Sequence, residues 1–314
     1  MTALPPAIFI MGPTGSGKTS LALEVARQYS VEIINVDSAS IYREMDIGTS
    51  KPDDHALAVA PHHLINICDP TEAYSAAQFR EDALALMHSI TDQGKIPLLV
   101  GGTMLYHKAL LQGLSDLPSA DPDVRQHLED ILADKGLHYL HKQLEKIDPV
   151  AAQKIHPNDP QRIQRALEVF EVSGKPISVW WSEQTKNDLP FLLIKLATMP
   201  EERALLHKNI EKNFDDMLLR GFVEEVQRLK ARGDLDLDKP SMRCIGYRQI
   251  WQYLDGELSY KEMRDKGVAA SRQYAKRQLT WLRSENDLNW INTARPDAAE
   301  HALEILRQKI HGSI

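Results

Sequence analysis

Two cysteines in 314 residues are too few to staple a fold. Cys68 and Cys244 stand far apart with no C-x-x-C pair. That disfavours a disulfide framework and a structural zinc site, and it fits a reducing, cytoplasmic compartment. Long apolar runs are missing as well. The first, Ala7 to Met11, is too short to cross a bilayer and follows no basic region of the signal-peptide kind, so no membrane association is expected. Positive charge is in deficit: 37 Lys and Arg against 44 Asp and Glu leave a formal net charge of −7. On that whole-chain sum a nucleic-acid partner is mildly disfavoured, because phosphates attract Lys and Arg. No repeat or low-complexity tract is evident. With 43% hydrophobic and 26% charged residues, disordered, collagenous and coiled-coil classes are excluded.

What is present is an alternation of short apolar runs and helical stripes. Residues 7–11 (AIFIM), 33–36 and 97–100 read as buried strands. Between them Leu21, Ala22, Val25, Ala26 and Tyr29, and then Ala76, Phe79, Ala83, Leu86, Met87 and Ile90, recur at helical spacing. Strands alternating with amphipathic helices make a parallel α/β sheet. The rhythm breaks near residue 115, where SDLPSADPD (115–123) has a domain-edge composition. Only helical stripes follow until a strand at Phe191–Ala197, after which helices resume. The expected architecture is an α/β P-loop NTPase-like core, residues 1–115 and 191–314, interrupted by a helical insertion at 116–190.

Gly12-Pro13-Thr14-Gly15-Ser16-Gly17-Lys18-Thr19 matches G-x-x-x-x-G-K-[ST] and sits between a strand and a helix, the context that gives the motif its meaning. Its glycines let successive backbone N–H groups point inward, and the helix N-terminus adds a positive dipole end. Lys18 supplies a point charge, and the Thr19 hydroxyl suits a magnesium ion that also touches the phosphates. A di- or triphosphate is expected to bind here. An ATPase normally carries a second strand ending in an acid, yet Leu98-Leu99-Val100-Gly101-Gly102-Thr103 has none. The strand-terminal acid is Asp37 instead, in Asn35-Val36-Asp37-Ser38. Carboxyl ends of neighbouring strands converge on the ligand crevice, so Asp37 and Thr103 are both placed to face the cradle. From position alone Asp37 is a metal ligand, a general base or a turn cap.

The stretch from Asp37-Ser38-Ala39-Ser40-Ile41-Tyr42 to Gly48-Thr49-Ser50-Lys51-Pro52, with Gly101-Gly102-Thr103-Met104-Leu105-Tyr106, resembles the tRNA dimethylallyltransferase (isopentenyltransferase) family. Further matching segments are Asp159-Pro160-Gln161-Arg162-Ile163-Gln164-Arg165, Arg243-Cys244-Ile245-Gly246-Tyr247-Arg248, and Arg272 through Lys276, Arg277 and Gln278 to Trp281. The motifs run in order over nearly the whole chain, and the resemblance is to the bacterial type, without the zinc-finger extension of some eukaryotic members. It implies transfer of a five-carbon group from dimethylallyl diphosphate to the exocyclic amine of the adenosine 3′ of the tRNA anticodon, releasing diphosphate, by a monomer. The cradle would hold the donor's diphosphate, with Lys18 and Thr14 beside it and magnesium on Thr19. Asp37 matches the family's base, and Thr103 would bond the amine or orient Asp37.

The same resemblance assigns tRNA contacts to Asp37, Ser38, Ala39, Ser40 and Thr103, to Arg125, to Gln161, Arg162, Ile163, Gln164 and Arg165, to Arg243, Cys244, Ile245, Gly246, Tyr247 and Arg248, and to Arg272, Lys276 and Arg277. On a helix Arg272 and Lys276 share one face, as do Arg162 and Arg165. Without the resemblance, segment 271–283 reads equally as a solvated charged helix. A target amine inside a stacked loop has to be flipped out to be reached. This chain departs from the family at Asn209 and Asn213, where two arginines are usual, one of them near the donor. Two other functions compete: an ATP-dependent kinase of a nucleoside or small metabolite, and a P-loop protein that binds RNA without prenyl transfer. The kinase leaves the basic segment unused, and ATP hydrolysis lacks its carboxylate. Cations gathered in particular segments also weaken the inference from net charge, since a whole-chain sum cannot see such a partition. His62 and His63 read as surface or capping residues, Trp180 and Trp181 as packing in the insertion, and both cysteines as buried small residues.

Overall fold

A computed structural model describes residues 4–115, 117–183 and 189–311. The chain divides into two compact units, Met1–Leu110 with Leu189–Ile314, and Leu111–Asp188. Asp116 and residues 184–188, which lie at or near the expected insertion boundaries, are outside the described residues.

The first unit begins with β1 (Pro6–Met11), α1 (Lys18–Gln28), β2 (Val31–Asn35), α2 (Asp54–Val59), a two-residue β3 (His62–His63), α3 (Ala76–Asp92), β4 (Ile96–Gly101) and α4 (Met104–Gln112). Residues 7–11 of β1 are completely buried. β1 lies between two parallel neighbours, and its uninterrupted apolar run covers both faces of a central strand. Ser75 caps α3 by accepting from the Gln78 N–H, while the Gln78 side chain accepts from the Ser75 N–H.

The second unit holds α5 (Pro122–Lys135), α6 (Leu137–Ile147), α7 (Pro149–Lys154), α8 (Pro160–Ser173) and α9 (Ile177–Glu183). Leu128, Leu140, Leu144, Ile163 and Leu167 meet in its core. Three of its helices start the same way: Asp121, Asp148 and Asp159 each cap a helix whose first residue is proline. The aspartate satisfies an orphan N–H, and proline lacks the donor that would be unmatched there. The end of the segment read as a domain edge is therefore the start of α5.

The first unit resumes with β5 (Leu192–Met199), α10 (Arg203–Leu219), α11 (Phe222–Ala231), α12 (Tyr247–Leu254), α13 (Tyr260–Leu282), β6 (Asn289–Asn292) and α14 (Ala298–His311). Its six strands lie in the order β3-β2-β4-β1-β5-β6. All pairings are parallel, with Ile8 opposite both Leu98 and Ile194. Two strands were not expected, β3 and β6. Both sit at sheet edges and are too short to show a period. His62 and His63 thus build an edge strand, and the His63 Nε2 lies 2.7 Å from the Glu32 carboxylate. A further core joins Phe214, Phe222, Tyr247, Trp251 and Met263. Within it buried Glu225 accepts from the N–H groups of Asp46, Ile47 and Gly48 and from the Tyr247 hydroxyl at 2.6 Å. That carboxylate ties the long loop after β2 to α11 and α12.

Candidate active site

The glycine-rich loop leaves β1 at its carboxyl end and enters α1 at Lys18. Gly15 and Gly17 have φ of 76° and 84°, a region L side chains avoid, so glycine is required to turn the backbone there. The loop is held from several sides. The Ser16 hydroxyl is buried against the Thr198 hydroxyl of β5 at 2.7 Å, and the Thr198 hydroxyl also donates to the Met11 carbonyl. The Thr14 N–H donates to the Gln278 carboxamide at 3.0 Å, and the Asn209 amide donates to the Gly15 carbonyl at 3.3 Å. Half-buried Lys18 donates to the Pro13 carbonyl at 2.8 Å. Burial brings its ammonium down to about 8, an effect partly offset by the negative charge of Asp37.

Asp37 follows β2, the strand two places from β1, and stands half-buried. Its Oδ1 accepts from the N–H groups of Ala39 at 2.8 Å and Ser40 at 3.4 Å. Among the described residues Oδ2 accepts no hydrogen bond. The turn cap and the general base considered for Asp37 are therefore compatible, since one oxygen serves each. Asn35 braces the same turn by donating to the Ser40 hydroxyl at 2.8 Å and to the Leu64 carbonyl. Thr103, after β4, accepts from the Ser38 N–H at 3.0 Å, and its hydroxyl faces the Ser38 hydroxyl at 3.3 Å. These bonds run to the Asp37 turn, which is one of the two roles expected of Thr103. Around Asp37 the surroundings are poorly solvated: burial first, then the Asp37 charge, raises the Cys244 thiol to about 12 and lifts the Tyr274 phenol. Cys244 is a half-buried, unreactive thiol rather than a fully buried one.

The remaining expected RNA contacts separate into exposed and engaged groups. Gln161 and Arg162 are exposed, the latter with 72% of its side chain accessible, and Gln164 donates to the Arg125 carbonyl. Arg243 is exposed beside Asp238, Ile245 is half-buried, and Arg248, Lys276 and Arg277 are exposed. Several others are corrected. Ile163 and Tyr247 are 0% exposed, core residues whose side chains cannot reach a base. Gly246 is buried, with no room for a Cβ against Phe222, and the buried Ser40 hydroxyl serves Asn35. Arg165 binds buried Glu168 and donates to the Pro118 carbonyl at 2.6 Å, whereas Arg125, which meets the same carboxylate, stays exposed. Arg272 is engaged by Glu211 of α10 at 2.8 Å. For Ile163 and Tyr247 the motif lies on a helix, of which only one face is free.

Two buried side chains make contacts beside the site that the sequence pattern does not single out. Gln278 bridges the Thr14 N–H and the Gly102 carbonyl, the latter at 2.7 Å. His107 of α4 is fully buried, bonds the Gly101 carbonyl at 3.2 Å and is held neutral by burial, down to about 4. Nothing in the pattern marks His107, whereas Gln278 sits on the inward row of an otherwise basic helix. A hollow of about 540 Å³ lined by Ile67, Cys68, Glu72, Ala73, Tyr74, Gln78 and Asp82 contains none of the expected site residues, and its two carboxylates suit no phosphate. Among the described residues no three His, Cys, Asp or Glu side chains gather as a metal cage. The exposed Thr19 hydroxyl at the start of α1 fits magnesium, an ion that takes one or two protein oxygens and completes its shell with phosphate and water.

A sequence profile described as IPP transferase matches residues 40–285. One for the ATPase family associated with various cellular activities matches residues 8–68, which covers the phosphate loop and β2 but not the acid-free end of β4. Solved structures are similar over nearly the full chain. Full-length tRNA isopentenylpyrophosphate transferase from Bacillus halodurans is 35% identical with a TM-score of 0.72, covering 98% of this chain and 97% of that one. The tRNA Δ2-isopentenylpyrophosphate transferase of Staphylococcus epidermidis is 34% identical with a TM-score of 0.69, covering 97% and 98%. A eukaryotic dimethylallyltransferase acting on tRNA is 28% identical with a TM-score of 0.84, covering 98% of this chain and 80% of that one. A phosphate cradle facing a strand-terminal carboxylate, on a chain alike from end to end to these enzymes, places the protein in the IPP transferase family.

Proposed function

We propose that this chain transfers the dimethylallyl group of dimethylallyl diphosphate to the exocyclic N6 amine of the adenosine 3′ of the anticodon in tRNA. The observation that carries the reading is a strand-terminal carboxylate, Asp37, held through Oδ1 with Oδ2 uncommitted among the described residues, at the same sheet end as the glycine-rich cradle of Lys18. The amine's lone pair is delocalised into the purine, so attack needs its proton removed as the bond forms. Asp37 Oδ2 takes that proton, while Oδ1 stays bound to the turn and holds the carboxylate in place. A nitrogen–carbon bond forms, the allylic carbon–oxygen bond breaks, and its electron pair leaves with diphosphate. Lys18 and the loop N–H groups stabilise the charge growing on the leaving group. Thr14 lies in the same loop, beside the donor. Magnesium held by Thr19 would add further positive charge against that diphosphate.

Acceptor binding falls to groups that remain exposed: Arg248, Lys276 and Arg277 on the first unit, Gln161 and Arg162 on the second. Ser38 and Ala39 beside Asp37 are half-buried and suit contact with a flipped nucleotide. One copy carries cradle, base and cations, so the working unit in this reading is a monomer, which size-exclusion chromatography checks, and the expected compartment is the cytoplasm. The test of function is incubation with unmodified tRNA, magnesium and dimethylallyl diphosphate, followed by digestion and mass analysis of the nucleosides. A five-carbon gain on one adenosine is expected. No gain, with phosphate moving from ATP to a small acceptor instead, sinks the proposal and favours a kinase.

A further inference from the structure

The two loops that meet at the candidate site come from different strands. The donor cradle follows β1, and the turn Gly101-Gly102-Thr103 follows β4. Backbone pairing sets β1 against β4 only as far as Met11 and Gly101. Beyond that point another contact has to hold the loops in register. Gln278 provides one. It projects from α13, is 3% exposed, accepts from the Thr14 N–H at 3.0 Å and donates to the Gly102 carbonyl at 2.7 Å. Thr14 offers a donor and Gly102 an acceptor, so only one orientation of the carboxamide satisfies both. Gly102 has no space for a Cβ, because the first atom it would strike is the Gln278 amide nitrogen. Tyr274, one turn earlier on α13, adds its hydroxyl to the same Gly102 carbonyl at 3.4 Å.

We propose that Gln278 is a positioning residue for transfer: its carboxamide sets the spacing between the loop that holds the diphosphate and the turn that carries Thr103. Thr103 in turn holds Ser38, next to Asp37, so the clasp reaches both donor and base through one side chain. The inference rests on the proposed function. In-line displacement demands that nucleophile, carbon and leaving group align, and about 1 Å of misplacement costs on the order of 100-fold in rate. A buried amide with both ends bonded resists that drift, because sliding either loop leaves a polar group unpaired.

Two variants read the clasp differently. Gln278→Met keeps the length and removes both bonds. Gln278→Glu keeps an acceptor for Thr14 but sets a carboxylate oxygen against the Gly102 carbonyl. Single-turnover transfer with saturating donor is expected to fall about 10- to 100-fold in both. tRNA affinity by filter binding should stay within about twofold, because α13 keeps its exposed cations. Affinity for dimethylallyl diphosphate, titrated without tRNA, should weaken about threefold or more in Gln278→Met and further in Gln278→Glu, whose buried negative charge opposes the diphosphate. A purely structural residue would lower the melting temperature and leave the folded fraction's rate and this split untouched. Transfer by Gln278→Met within about twofold of wild type overturns the proposal, as does a loss carried wholly by weaker tRNA binding. If Gln278→Met does not fold, Gln278→Glu decides by the same rate. If the wild-type chain moves no five-carbon group, the proposed function falls, and the donor titration alone decides: equal affinities in the three proteins remove the clasp.

Discussion

Lys18 makes the strongest quantitative test of the donor site. Burial holds its ammonium at about 8 in the free protein instead of the ordinary 10.5, roughly 3 kcal/mol of disfavour for the charged form. Only the ammonium attracts diphosphate, so raising the pH through 8 removes the charge the donor needs. The ratio kcat/KM reports ionisations of the free enzyme, and for the donor it should fall about tenfold from pH 7 to pH 9. At saturating donor, kcat should stay level over that range, because bound diphosphate restores the ammonium. The same coupling predicts proton uptake on binding. At pH 8.5 about three quarters of the Lys18 side chains are neutral, so dimethylallyl diphosphate should draw about three quarters of a proton from solution. Calorimetric titration without tRNA, in buffers of different ionisation heat, measures that number. In Asp37→Asn the charge that favours the ammonium is gone, and the break in diphosphate affinity should move below 8. No uptake together with a flat kcat/KM to pH 9 would refute the role given to Lys18.

Three further outcomes are expected. Asp37→Asn should lower transfer by about 100- to 10,000-fold, the usual worth of a general base, with tRNA binding retained in a filter assay; turnover near wild type removes Asp37 from that role. Asn209→Arg should lower the donor KM about fivefold, because residue 209 already touches the Gly15 carbonyl and a guanidinium there can fork onto a phosphate. Asn213→Arg, one turn on and exposed, should change neither kinetic constant, and the reverse pattern defeats this placement. Glu32 is held below its ordinary 4.5 first by its bond from Lys95 and also by that from His63. Stability from this carboxylate is present above 4.5 and is lost as pH falls through the lowered value. Unfolding free energies of Glu32→Gln and wild type from urea titration should differ at pH 6 by about 1 kcal/mol and converge in acid; a gap that persists at low pH contradicts the linkage.

What the chain shows without coordinates follows from how local each signal is. The phosphate loop is one contiguous segment whose glycines, lysine and flanking strand are all visible together, and Asp37 and Thr103 each stand at a strand end that composition marks. Edge strands β3 and β6 are two and four residues long, and no period can emerge from so few. Proline at 122 reads as linker or as helix start, and only the Asp121 side chain accepting from Asp123 and Val124 decides between them. Ile163 and Tyr247 entered the expected RNA contacts for another reason. A family motif is a string, whereas a helix turns about 100° per residue, so Ile163 and Tyr247 entered with exposed neighbours although they face the core. Gln278 was hidden by the cations around it, and its partners lie in segments far away in sequence.

The charges of α13 resolve the conflict between an acidic chain and an RNA substrate. Arg264 pairs with Asp215 and Glu211 of α10, and Arg272 shares Glu211. These two arginines and two acids cancel, contribute nothing to the net charge of −7 and leave neither arginine a free cation. Lys276 and Arg277, exposed and in no ion pair among the described residues, keep their charge for solvent or phosphate. Screening confines such interactions to roughly 8–10 Å at physiological salt, so a phosphate near the outer face of α13 responds to these cations more than to acids elsewhere on the surface. The inward row of the same helix, Ala275, Gln278, Leu279 and Leu282, is buried. In the proposed reading, phosphate drawn to the outer row would bind the same element that holds Thr14 and Gly102 on its inner row. Acceptor binding and donor alignment would then meet in a single helix, with the basic segment and the buried glutamine in one motif.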